Sequence, residues 1–167
     1  MKPSLIVYAL VLMLALGCAE KAPETKATRS APVELGQSIA EIDEAKIKNW
    51  LAENDMEVES LPSGLHYVVE NPGQGEKPSL RSLVEVHYHG TTLDGQVFDS
   101  TKKRGTIRFP LAKLIKGWQE GIPLIGKGGK IKLIVPSGMA YGDRQVSPDI
   151  GPNSVLIFDI ELIDFEG

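Results

Sequence analysis

Two alternating stretches constrain this chain more than any other feature. In residues 84–89 (VEVHYH), Val84, Val86 and Tyr88 share one side, and Glu85, His87 and His89 the other. In residues 155–163 (VLIFDIELI), Leu156, Phe158, Ile160 and Leu162 stand against Asp159 and Glu161. A period of two marks a strand with one buried face. Residues 130–135 (KIKLIV) repeat the pattern, with Ile131, Leu133 and Val135 inward and Lys130, Lys132 and Ile134 outward. Residues 65–69 (LHYVV), 97–98 and 106–109 add short strands. The breaks between them are turn sequences: Asn71-Pro72-Gly73, Asp94-Gly95 and residues 126–130 (GKGGK). Leu111, Leu114, Ile115 and Trp118, three to four apart after Pro110, predict one helix ending near Gly121. The expected class is α+β, a twisted antiparallel sheet wrapped on one short helix.

The first sixty residues read as delivery and spacing. Lys2 precedes twelve uninterrupted apolar residues, 5–16 (LIVYALVLMLAL). A helix of that length spans about 18 Å, short of the roughly 30 Å hydrocarbon core, so residues 1–17 are expected to be a signal peptide. Ala15-Leu16-Gly17-Cys18 resembles the bacterial lipobox. That resemblance implies acylation of Cys18 as the mature first residue, and each buried CH₂ contributes about 0.8 kcal/mol to membrane affinity. The expected location is the cell envelope, lipid-anchored. Ala19 after the cysteine favours an outer membrane, facing the periplasm, in a Gram-negative cell.

Residues 18–37 mix Pro, Thr, Lys, Glu and Ala and cannot build a core, so they read as a flexible tether. Residues 38–60 hold a helix and a linker. Ile39, Ile42, Ile47, Trp50 and Leu51 fall near one helical face, and Ser38 with Glu41 forms a capping-box signature. Asp43, Glu53 and Asp55 read as solvated helix charges. A helix of this length is marginal alone. Its stripe needs either its own domain or a second copy of the chain, a weak homodimer through residues 38–55.

The composition excludes several classes. A net charge of −4 and the lack of a clustered basic stripe give no nucleic-acid surface. Lys102-Lys103-Arg104 reads as a solvated loop. One cysteine cannot form an intrachain disulfide. His87 and His89 share a strand face that His66 could join, but a zinc site needs further ligands. No nucleophile–base motif, P-loop or dinucleotide fingerprint occurs. No cofactor or metal is expected, and chemistry that breaks no covalent bond is what remains.

Five motifs in order then identify the domain. V-x-V-x-Y-x-G at 84–90, V-F-D-S at 97–100, L-I-K-G-W at 114–118, M-A-Y-G at 139–142 and P-N-S-V-L-I-F-D-I-E-L at 152–162 resemble the FKBP-type peptidyl-prolyl cis/trans isomerases. The resemblance covers roughly residues 64–165, within a domain drawn at 61–167, and implies an FKBP-like fold with the N-terminal helix as an extension. It implies a pocket with Trp118 as floor and Tyr88, Phe98 and Phe158 as aromatic walls. Asp99 is implied near the twisting amide, with Tyr141 holding the peptide through its hydroxyl and Ile115 through its backbone N–H. Leu114 and Ala140 complete an apolar rim. Ile107 stands where the family's prototype has phenylalanine, and Val146 lies in a loop over the pocket. The implied substrates are proline-containing, unfolded or partly folded exported polypeptides. A proline-independent holding chaperone and a catalytically inert surface lipoprotein are the alternatives that the same fold allows.

Overall fold

The computed structural model describes residues 36–167. The expected signal peptide, Cys18 and the tether through residue 35 lie outside the described residues. Seven strands form one antiparallel sheet: β1 (Glu59–Ser60), β2 (His66–Asn71), β3 (Leu83–Thr92), β4 (Val97–Ser100), β5 (Ile107–Pro110), β6 (Lys130–Val135) and β7 (Leu156–Glu166). Their order is β1-β2-β6-β7-β3-β4, with β5 also paired to β3. β3 and β7 run against each other from Leu83↔Glu166 to Thr92↔Leu156. The other edge of β3 is shared by β5 at residues 83–86 and β4 at residues 89–91.

Burial alternates along β3 as its sequence predicts: Val84, Val86 and Tyr88 are buried, and Glu85, His87 and His89 are half-buried. The inner face carries the main core, including Leu65, Ile131, Leu133, Leu156, Ile160 and Leu162.

The single helix expected over residues 111–121 is broken. A 3-10 turn, Leu111–Lys113, precedes two extended residues, Leu114 (ψ 172°) and Ile115 (ψ 152°). Only then does α2 (Lys116–Gly121) begin, and it runs into a second 3-10 turn, Ile122–Leu124. The Gln119 side chain holds the break open, its Nε2 donating to Leu114 O (2.7 Å) and Ala112 O (3.2 Å). α2 sits close on β6 through glycines four apart. A Cβ at Gly117 would lie 2.6 Å from Val135 Cγ1, and one at Gly121 would lie 2.6 Å from Leu133 Cδ1.

The N-terminal helix, α1 (Ile39–Glu53), starts in the expected capping box: Glu41 N donates to Ser38 Oγ (3.3 Å) and Ser38 N to Glu41 Oε2 (2.7 Å). It packs on the outer face of its own sheet, where Ile47 joins Ile134, Val155 and Ile157 in a second buried cluster beside Trp50 and Leu51. Ile134, placed among outward residues by parity, is therefore buried under α1. Ile39 departs from the stripe and is 45% exposed. Asp43, read as a solvated charge, is instead buried and accepts hydrogen bonds from Ser137 N (2.8 Å) and Ser137 Oγ (2.6 Å). His66 does not join His87 and His89. It is buried under α1, with Nε2 2.9 Å from Glu44 Oε2.

Candidate functional site

A cavity of about 370 Å³ opens on the inner face, between β3, β4, β5, β7 and the start of α2. Trp118, in the first turn of α2, is its floor and is 4% exposed. Three rings meet that indole edge to face: Tyr88 (centroids 5.1 Å apart, 79°), Phe158 (5.3 Å, 89°) and Phe109 (6.3 Å, 82°). Phe98 stands on Phe158 in the same way (5.5 Å, 82°). Strand parity turns Tyr88 and Phe158 inward, and edge-to-face contact is the preferred aromatic geometry. Gly90 makes room for the Phe98 ring, since a Cβ there would lie 2.5 Å from Phe98 Cζ.

One wall is polar. The Tyr88 hydroxyl donates to Asp99 Oδ2, and Asp99 Oδ1 accepts from Arg104 Nη2 and from Ser100 N (2.8 Å). Burial, and then the bond to Asp99, pushes the Tyr88 phenol up to about 12, so it stays a protonated donor at neutral pH. Tyr141 is half-buried, and its phenol is also raised, first by burial and then by the Asp99 charge. Its hydroxyl has no hydrogen-bond partner among the described residues. Ile115 opens α2, where the first N–H groups have no intrahelical acceptor, and its N–H has no protein partner among the described residues. The carbonyl of the same peptide unit, Leu114 O, is the one held by Gln119.

Eight of the ten positions named for the pocket line this one cavity: Tyr88, Phe98, Asp99, Leu114, Ile115, Trp118, Tyr141 and Phe158. Ile107 and Ala140 do not. Ile107 pairs with Val86 and packs into the core; two residues along β5, about 7 Å, Phe109 pairs with Val84 and lines the cavity. Ala140 closes a 3-10 turn, its N–H donating to Ser137 O (3.0 Å), and it is the next residue, Tyr141, that faces the cavity. Val146, Ser147 and Ile150 line it from the loop above, which the Gln96–Asp149 hydrogen bond ties to the β3–β4 turn. Ser147 and Ile150 carry no sequence period that could have revealed them. Arg104, read as part of a solvated loop, belongs to the rim through Asp99. Among the described residues no group of three or more His, Cys, Asp or Glu converges as a metal site.

A family profile described as FKBP-type peptidyl-prolyl cis-trans isomerase matches residues 74–163. The chain belongs to this family. It is 42% identical over 144 residues to the FKBP-type peptidyl-prolyl cis-trans isomerase FkpA of Escherichia coli (strain K12), covering 84% of this chain and 53% of the relative. It is 37% identical over 134 residues to a probable FkpA of Neisseria meningitidis serogroup B, covering 78% and 49%. The chain thus spans about half the length of the curated relatives it matches. Among solved structures, the crystal structure of FkpA from Escherichia coli aligns with a TM-score of 0.68 at 43% identity, covering 76% of this chain and 61% of that one. A peptidyl-prolyl cis-trans isomerase from Pseudomonas syringae pv. tomato aligns at 0.66 with 30% identity, covering 78% and 98%. The FKBP fold expected from the five motifs is thereby established.

Proposed function

We propose that this FKBP-family chain catalyses cis/trans isomerisation of peptidyl-prolyl bonds in unfolded or partly folded exported polypeptides, held at the cell envelope by a lipidated Cys18. The observation that carries the reading is the aromatic cage over Trp118, with the Tyr88–Asp99 pair on one wall and the Ile115 N–H and Tyr141 hydroxyl without protein partners. An X–Pro bond favours trans by only about 0.5–1 kcal/mol, yet it turns over slowly because the planar amide resonance must be lost. The twisted state has less charge separation than the planar amide, so a dry apolar cavity favours it while water favours the ground state. Trp118, Phe98, Phe109 and Phe158 would hold the pyrrolidine ring and exclude water. The Ile115 N–H and the Tyr141 hydroxyl would take the flanking carbonyls, which concentrates rotation at one bond. Asp99, oriented by Tyr88, Arg104 and Ser100 N–H, would face the amide as its nitrogen pyramidalises.

The lipobox at residues 15–18 supports the anchor, and Ala19 supports an outer membrane facing the periplasm. The docking of α1 on its own sheet accounts for its apolar stripe without a second copy, so we read the described domain as functional in one chain. NMR exchange spectroscopy on a short proline peptide tests the activity: wild type should broaden or exchange the cis and trans signals at catalytic concentration. Exchange no faster than in buffer alone would leave the holding or inert readings. For the anchor, Cys18→Ser should move the protein from the membrane to the soluble fraction. Retention in the membrane would show that residues 5–16 themselves anchor it.

A further inference from the structure

α1 reaches the turn that presents Tyr141. The chain from 137 to 142 closes on itself, because Ser137 O accepts from Ala140 N (3.0 Å) and Gly142 N (2.8 Å). Outside that loop, the Ser137 N–H and hydroxyl both donate to Oδ2 of Asp43, ninety-four residues away on α1. A second tether holds the far end. Gly142 O accepts from Asn153 N (2.7 Å), and Asn153 O accepts from Lys46 Nζ (3.3 Å). Asp43 and Lys46 lie one helical turn apart, with Lys46 Nζ 3.6 Å from Asp43 Oδ1. Tyr141 is therefore bracketed by two groups that α1 holds, although no residue of α1 lines the cavity.

A carboxylate as buried as Asp43 is costly unless its bonds repay the lost hydration. Its Oδ1 has no hydrogen-bond partner among the described residues and faces only the Lys46 ammonium at 3.6 Å, so the hydrogen bonds converge on Oδ2 and Ser137. What two charge-assisted bonds to one residue supply is geometry: they fix where the turn begins, and so where its next aromatic residue points.

We propose that Asp43 is a positioning residue for Tyr141, which makes α1 a working part of the isomerase site. The inference rests on the isomerase reading of the cavity. It is tested in the full chain with Asp43→Ala, Asp43→Asn and, as a control on the same helix, Glu44→Ala, which removes the His66 and Lys48 contacts and touches neither tether. Well below each melting temperature, Asp43→Ala should lower kcat/KM about fivefold and shift the Tyr141 and Gly142 amide resonances. Asp43→Asn, which keeps an acceptor oxygen, should recover most of the loss, and Glu44→Ala should leave kcat/KM unchanged. In a Tyr141→Phe background, Asp43→Ala should cause no further loss, because the hydroxyl it positions is gone. Effects that multiply in that double variant, or a lower melting temperature with unchanged kcat/KM, would overturn the proposal. Should Asp43→Ala not fold, Ser137→Ala removes one of the two bonds without touching α1, and a drop of about twofold is expected. A wild type without activity would refute the isomerase reading instead. The Tyr141 resonances would then decide the positioning role alone, with unshifted signals in Asp43→Ala ruling it out.

Discussion

Each face of the sheet carries a buried cluster, and the two are built in opposite ways. On the outer face, Ile47 of α1 meets Ile134, Val155 and Ile157, branched aliphatic side chains that are all nearly inaccessible to solvent. On the inner face, Tyr88, Phe98, Phe109, Trp118 and Phe158 meet mostly edge to face at 5.1–6.3 Å, with Tyr88 and Phe109 tilted at 6.5 Å. Flat rigid rings in that arrangement hold one another upright without filling the space between them. One face spends its apolar area on cohesion. The other keeps a hole, and the polar groups at its edge, Asp99, Tyr141 and Arg104, are only partly covered.

Four measurements would break or sharpen this contrast. The largest effect is expected from Trp118→Ala, which removes the ring that three others lean on. Stability to denaturant should fall by about 3–5 kcal/mol, and turnover should fall further than the unfolded fraction explains. Loss of stability with turnover intact in the remaining folded protein would make the indole mere packing. Asp99→Asn comes next. The carboxamide is nearly isosteric and Asp99 is partly exposed, so kcat/KM should drop several-fold while the melting temperature barely moves. A fall in stability of about 1–3 kcal/mol with proportionate turnover would reduce Asp99 to a tie for Tyr88.

The outer face should behave in reverse. Ile47→Val deletes one methyl group from a closed cluster and should cost about 0.5–1.5 kcal/mol, with kcat/KM of the folded protein unchanged. The smallest effects are those of pH, and the faces should respond at opposite ends of the scale. Glu44 on α1 is held below the ordinary glutamate value of 4.5, chiefly by its hydrogen bond to His66. Its contribution is present above that value and is lost as pH falls further, so amide exchange in α1 should accelerate in acid. Tyr88 is raised, so its contribution is complete below pH 10 and is lost as pH rises through about 12. Alkaline titration should therefore disturb the cavity rings while the α1 amides stay protected.

The inner face was legible in the sequence because its signals are local. Parity turns Tyr88 and Phe158 to the apolar face of their strands, and the five ordered motifs place them with Trp118, Asp99 and Tyr141. Two readings failed because they depend on a partner far along the chain. Asp43 looked solvated because its acceptor role is met by Ser137, and Ile134 looked exposed because α1 covers it. The break at Leu114 and Ile115 hid inside a helical spacing, since a side chain, Gln119, takes up the carbonyls that a continuous helix would have used. The family resemblance points to Ile107, while Phe109, of the same strand parity, is the residue that lines the cavity.

β7 carries a consequence for when the protein can begin to work. It is the last of the described strands, yet it lies at the centre of the sheet, between β6 and β3, and it brings Phe158 to a cavity whose facing wall, Tyr88, was synthesised seventy residues earlier. Until it arrives, β3 and β6 have nothing to join them, and both faces lack their middle. A chain emerging residue by residue from a ribosome or a translocation pore therefore lacks the Phe158 wall until β7 has cleared the exit, and the assembled cavity should appear in a single step.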